Sequence, residues 1–312
     1  MNEKVLITGG AGYLGSVLSE FLLSKNFNVT VIDSLNFKQI PVLKNFINDN
    51  FEMKNFDIRN ESLFLKEIES HDVIIPLAAI VGAPACDLSP HLATEVNLNQ
   101  IKFIVDKTST DQKIVLPTTN SGYGLGLNDK FCDESSPLNP ISHYAITKMQ
   151  AENYLLNSKN GISLRLATVF GPSQRMRLDL LVNDFVYRAL KDRYLILFES
   201  HFKRNYIHIN DVSEAILHMI MNYDNLNNNV FNVGLSDANL SKFELCSKIK
   251  EHINDFLFIE SSIREDQDKR NYIVSNEKIE NTGWKPKYSL DNGIDSLIKL
   301  YNNLSIHNFS NV

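Results

Sequence analysis

Tyr144 and Lys148 stand four apart in a helical-looking stretch, Tyr144-Ala145-Ile146-Thr147-Lys148, and that spacing puts both functional groups on one helix face. An ammonium beside a phenol stabilises the phenolate and lowers its pKa, which makes tyrosine usable as a base near neutrality. Upstream, Pro117-Thr118-Thr119-Asn120-Ser121-Gly122-Tyr123-Gly124 follows a strand, so a hydroxyl can project from the carboxyl edge of a sheet. Thr119 is then placed to hydrogen-bond an oxygen whose proton the tyrosine takes. Singly, each residue reads as an ordinary surface aromatic, solvated charge or turn hydroxyl. The chemistry rests on the three together.

A base of this kind needs an oxidant beside it, and the start of the chain offers a place for one. Lys4-Val5-Leu6-Ile7-Thr8 is a short apolar run bounded by glycines, the pattern of a buried parallel strand. Gly9-Gly10-Ala11-Gly12-Tyr13-Leu14-Gly15 follows, and then Leu14, Val17, Leu18, Phe21 and Leu22 repeat with helical period. Strand, glycine turn and helix in that order let backbone N–H groups face a pyrophosphate, with no Cβ at Gly9, Gly12 or Gly15 in the way. Asp33 ends the second strand, eighteen positions after Gly15. Its carboxylate would accept from ribose hydroxyls and repel a 2′-phosphate, favouring NAD over NADP. Further strand patterns at 51–57, 73–77, 113–117 and 162–166 alternate with helical stretches, which implies a right-handed doubly wound parallel sheet.

Composition agrees with an α/β enzyme of this kind. A length of 312 residues suggests about two domains, and 43% apolar with 22% charged residues is ordinary for a globular chain. The net charge of −6 gives no support to a nucleic-acid partner, and no apolar run approaches the roughly 18 residues of a membrane span. Cys86, Cys132 and Cys246 are too few and too scattered for a disulfide framework or a metal site. With no secretory pattern at the start, they are expected to stay reduced in the cytoplasm.

The glycine turn, Asp33, the Thr119 segment and Tyr-x-x-x-Lys in this order resemble the extended short-chain dehydrogenase/reductase family, and within it the nucleotide-sugar epimerase/dehydratase branch. The resemblance runs from Lys4 to Pro286. It implies NAD as cofactor, Tyr144 as general base, Lys148 as the residue that tunes it and holds the nicotinamide ribose, and Thr119 as the group orienting the substrate hydroxyl. Tyr13 and Leu14 belong to the cofactor turn. Asp57-Ile58 is similar to the family's adenine-contact pair, Leu77-Ala78-Ala79 to the segment beside ribose and pyrophosphate, and Asn97 to its buried asparagine, grouped here with the cofactor residues. Ser163-Leu164-Arg165-Leu166-Ala167-Thr168-Val169-Phe170-Gly171-Pro172 resembles the strand leading into the second lobe. The implied organisation is a Rossmann domain over 1–170 and a smaller mixed α/β nucleotide-sugar lobe over 171–312, with 204–234 partly returning to the first. Arg204 in Arg204-Asn205-Tyr206-Ile207-His208 resembles the arginine that binds the substrate diphosphate, and Arg264 or Arg270 would supply a second contact. Helices around 97–107 and 144–156 resemble the family's four-helix homodimer interface.

Departures narrow the reaction. The family's 4,6-dehydratases carry acidic residues after the threonine, because removing water needs its own acid and base; here Asn120 and Ser121 stand there, as substrate-facing residues. A glutamate at position 121, as in nucleotide-sugar decarboxylases, is missing too. Hydride removal from a sugar carbon, C4, remains. Thr168 stands where many of the epimerases carry asparagine, and Val81 where some carry lysine. The chain as a whole resembles the GDP-heptose 4-dehydrogenases of bacterial capsule pathways. The expectation is therefore oxidation of a GDP-linked manno-heptose at C4, with a 4-epimerase as the alternative and an NAD-binding sensor or scaffold as the reading from another class.

Overall fold

The computed structural model describes residues 3–127, 130–158, 160–262 and 270–303. The opening apolar run forms strand β1 (Lys4–Thr8), followed by β2 (Asn28–Asp33), β3 (Phe51–Asn55), β4 (Val73–Pro76) and β5 (Lys113–Thr119). After the two-residue β6 (Phe131–Cys132) come β7 (Ile162–Leu166), β8 (Thr168–Phe170), β9 (Tyr194–Phe198), β10 (Lys203–His208) and β11 (Asn229–Val233). The last three are β12 (Asn239–Ser241), β13 (Leu257–Ser261) and β14 (Ile273–Val274).

Seven strands make one parallel sheet in the order β11, β7, β5, β4, β1, β2, β3. Neighbouring residues of β1 enter different cores. Leu6 joins Ile104 and Leu155 on one face, while Val5 and Ile7 join Leu18, Leu22 and Ile216 on the other, as a period of two requires. Each such side chain, fully buried, contributes about 1.5–3 kcal/mol. The connections reverse direction between β1 and β4, and a ligand sits outside the carboxyl ends of the strands at such a point.

Four stretches differ from the sequence pattern, the smallest change being β4, which ends at Pro76. β3 stops at Asn55, because the Asp57 carboxylate accepts from the backbone N–H of Arg59 at 2.9 Å and turns the chain. β5 runs on to Thr119, since β7 pairs with it as far as Leu166. The Asn-rich stretch at 223–229, which reads as loop, contains a helical turn at Tyr223–Leu226, anchored where the buried Tyr223 hydroxyl accepts from Ile114 N–H at 2.9 Å.

Beyond Phe170, β10 pairs parallel with β8 and antiparallel with β12, and the helices Leu181–Lys191, Lys242–His252 and Leu290–Asn303 pack around them. The helix Ile209–Met221 and β11 go back to the large sheet, so one apolar core runs from Val5 to Tyr301. No described helix is long and apolar enough to cross a membrane.

His208 ends β10 and caps the helix Ile209–Met221 by accepting from Asn210 N–H at 3.3 Å. It is buried against Tyr288 and Phe170, and burial pushes its imidazole down to about 4. Because the folded value lies below the ordinary 6.5, the unfolded chain takes the proton more readily. Stability is therefore full above pH 6.5 and is lost as pH falls towards 4. At about 1.4 kcal/mol per unit, the loss is on the order of 3 kcal/mol. Urea midpoints at pH 7 and 4 should show it, and His208→Asn, which keeps a capping acceptor, should shed that part of the slope. An identical slope in the variant would remove His208 as the cause.

Candidate active site

Ser142 caps the helix His143–Asn157 by accepting from Ala145 N–H at 3.2 Å. That helix carries Tyr144, Lys148 and Glu152 at successive spacings of four, so all three lie along one stripe. Lys148 and Glu152 are buried and Tyr144 is half-buried. Tyr144 and Lys148 open into a cavity of about 1120 Å³ that also meets Thr119, Ser121 and Thr168. Thr119 donates to Ser121 Oγ at 2.8 Å and accepts from Ser121 N–H at 3.1 Å. Arg270 donates to the same Ser121 oxygen, and Arg204 lines this end as well. Burial pushes the Tyr144 phenol up to about 12, with the Arg177 and Arg270 charges pulling it back. Burial brings the Lys148 ammonium down to about 8, against the pull of Glu152. Besides the lysine that the spacing marks, two arginines therefore face Tyr144, charges that the spacing did not mark.

The other end of the cavity is lined by Gly9, Gly12, Tyr13, Leu14 and Gly15, by Asp33, by Asp57 and Ile58, and by Leu77, Ala78 and Ala79. Gly9 has φ +68°, and a Cβ there would lie 2.6 Å from Ala78 N, so the two loops at the reversal point touch only through glycine. Gly12 precedes the helix Tyr13–Ser24 without any side-chain cap. The first N–H groups of that helix therefore stay open to an anion. Asp33 accepts from Ala11 N–H at 3.0 Å and Leu35 N–H at 2.9 Å. Burial raises its carboxyl, with those two bonds and Arg175 opposing. Asp57 is held below the usual carboxylate range by Arg59, which grips it through Nε and Nη2. The uncapped helix end with a carboxylate at the tip of the adjoining strand fits a dinucleotide.

Some expected site residues sit elsewhere. Asn97 does not line the cavity. Its amide accepts from Ile80 N–H at 2.8 Å and donates to Ile80 carbonyl at 3.0 Å, so it props the loop after β4 from behind. Asn120 opens the short 3₁₀ turn that follows β5 and is buried off the wall, its amide without a partner among the described residues. The Tyr13 hydroxyl is already used, donating to Gly171 carbonyl at 2.7 Å and accepting from Asn183 at 3.2 Å, which ties the glycine turn to the helix Leu181–Lys191. Arg264 lies outside the described residues. Four cations of the wall were missed: Arg175, Arg177, Lys242 and Arg59. The first two come from an irregular stretch with no periodicity to mark them, although the run Arg175-Met176-Arg177 between apolar segments was a visible charge signal.

Residues 5–234 match the NAD dependent epimerase/dehydratase family. A putative UDP-glucose 4-epimerase of Methanocaldococcus jannaschii is 30% identical, over 96% of this chain and 98% of that protein. The CDP-paratose 2-epimerase of Salmonella typhi is 27% identical, over 94% and 98%. Among solved structures, the UDP-glucose 4-epimerase of Thermotoga maritima with UDP-glucose aligns at a TM-score of 0.85, with 25% identity over 96% of this chain and 99% of that one.

Proposed function

Because this chain belongs to the NAD dependent epimerase/dehydratase family and is an NAD-dependent enzyme of nucleotide-sugars, we propose that it inverts C4 of a UDP-linked sugar. The observation that carries the reading is the single cavity in which Tyr144, Lys148 and Thr119 face the glycine turn while Asn120 and Ser121 bring no acid. The relatives named above favour return of the hydride over its loss, and UDP over GDP.

When bound, NAD supplies the acceptor for the C4 hydride and gives it back to the opposite face. The N–H groups after Gly12 and the Asp33 carboxylate would hold it. Tyr144 takes the C4 hydroxyl proton at its phenolic oxygen and later returns it, so no proton or electron is lost over the cycle. Thr119 Oγ1 orients the sugar oxygen once it turns from Ser121. Arg204 and Arg270 suit the diphosphate, since a guanidinium presents a planar fork of donors to phosphate oxygens. Water loss is not part of this cycle, because no acidic side chain follows Thr119.

Incubation of the protein and NAD with a panel of UDP- and GDP-sugars tests this. A product of unchanged mass with C4 inverted, and no net NADH, is the expected result. Loss of two hydrogens with NADH accumulating would establish the dehydrogenase instead, and no conversion of any sugar would return the sensor reading.

A further inference from the structure

Arg175 belongs to the second lobe, yet its guanidinium reaches back over the cofactor lobe. Its central carbon lies 4.6 Å from the centroid of the Phe37 ring, on the loop that follows β2. Its charge and that of Asp33 act on one another. Arg175, Phe37 and Asp33 all line the large cavity at the end where the glycine turn stands. Arg175 is 3% exposed, whereas Phe37 is 52% exposed, a large ring left on the surface with an arginine laid against it. The Asp33 oxygens each accept one backbone N–H, from Ala11 and from Leu35, which fixes the carboxylate's direction. An arginine presents its donors in a planar, rigid fork; Nη1 donates to the Met176 carbonyl at 3.0 Å, which helps to fix the guanidinium at the cavity wall.

We propose that Arg175 is a cofactor-binding residue supplied by the second lobe, which with Phe37 closes the ribose end of the cleft over NAD and fixes both its retention and its selectivity at the 2′ position. Release of the cofactor then requires the guanidinium to leave the ring, so the two lobes are latched through this contact. The same cation explains how selectivity is divided. Asp33 repels a 2′-phosphate, and Arg175 would welcome one if the carboxylate were absent. The inference rests on NAD as the cofactor and not on the fate of the hydride.

The test is cofactor exchange in the full-length protein. Arg175→Met should speed NAD dissociation on the order of tenfold or more, and weaken ADP-ribose equally while leaving nicotinamide mononucleotide unchanged. Arg175→Lys should fall between, since an ammonium keeps the charge without the fork. Phe37→Ala, at an exposed ring, should also speed release, and it keeps the idea testable if the Arg175 variants unfold. Asp33→Asn should gain NADP affinity about tenfold, a gain absent from Asp33→Asn combined with Arg175→Met. Unchanged NAD release in Phe37→Ala and in folded Arg175→Met would overturn the proposal and leave 4-epimerisation standing. A sugar product lacking two hydrogens would do the reverse.

Discussion

Tyr144→Phe is expected to lower kcat on every nucleotide-sugar substrate by about 10²- to 10⁴-fold, the usual worth of a positioned general base, with NAD binding intact. The substitution is unusually clean here. Among the described residues no group hydrogen-bonds the Tyr144 hydroxyl, so removing it breaks no bond and leaves no orphan, and the thermal midpoint should barely move. Charge supplies the direction of the pH dependence. Burial raises the phenol to about 12 even with Arg177 and Arg270 opposing it, so the wild-type rate should rise with pH as the base ionises. The residual rate of the variant should lose this rise. Rates are measured under saturating sugar, with bound NAD quantified in parallel. Near-wild-type turnover in a folded, NAD-loaded Tyr144→Phe would end the assignment of the base.

Periodicity and glycine made the large parallel sheet legible. β1, β2 and β7 run over the residues that their apolar patterns mark, because strands buried on both faces have little choice of composition. Spacing made the catalytic pair legible for the same reason: a separation of four on a helix is a statement about direction. Where direction is not fixed by a period, the sequence was silent. Asn97 and Asn120 have suitable chemistry, yet one props a loop from behind and the other points off the wall. Arg175 and Arg177 lie on irregular backbone, where only the folded chain decides that they line the large cavity. Glu152 shows a third kind of blindness. At eight positions from Tyr144 it lies on the catalytic stripe, but a glutamate in a helix reads as a solvated charge, and its actual surroundings are assembled from β5 and β7.

Those surroundings make Glu152→Ala the most damaging single change to stability. The Glu152 side chain is fully buried and receives Arg165 Nη2 at 2.6 Å and Nε at 3.0 Å. It also receives the hydroxyls of Ser163 at 2.6 Å and Thr118 at 3.0 Å. Truncation leaves the Arg165 guanidinium buried with its counter-charge gone, which costs about 3–5 kcal/mol, of the order of half the stability of a domain. The loss is one of orphaned charge rather than of missing contacts. Consequently the double variant Glu152→Leu with Arg165→Met should recover most of it, because Thr118 and Ser163 still bond one another at 3.0 Å. Urea midpoints for the two single variants and the double close the cycle. If the double lost as much as the two singles summed, the charge argument would fail and simple packing would replace it. Recovery would mean that the ion pair is dispensable for folding. Its effect on catalysis would then be separable, since Glu152 sits one turn from Lys148 and its partner Thr118 precedes Thr119. A stable double variant with reduced kcat and unchanged NAD affinity is the expected outcome if this pair fixes the strand end against the helix that carries the base.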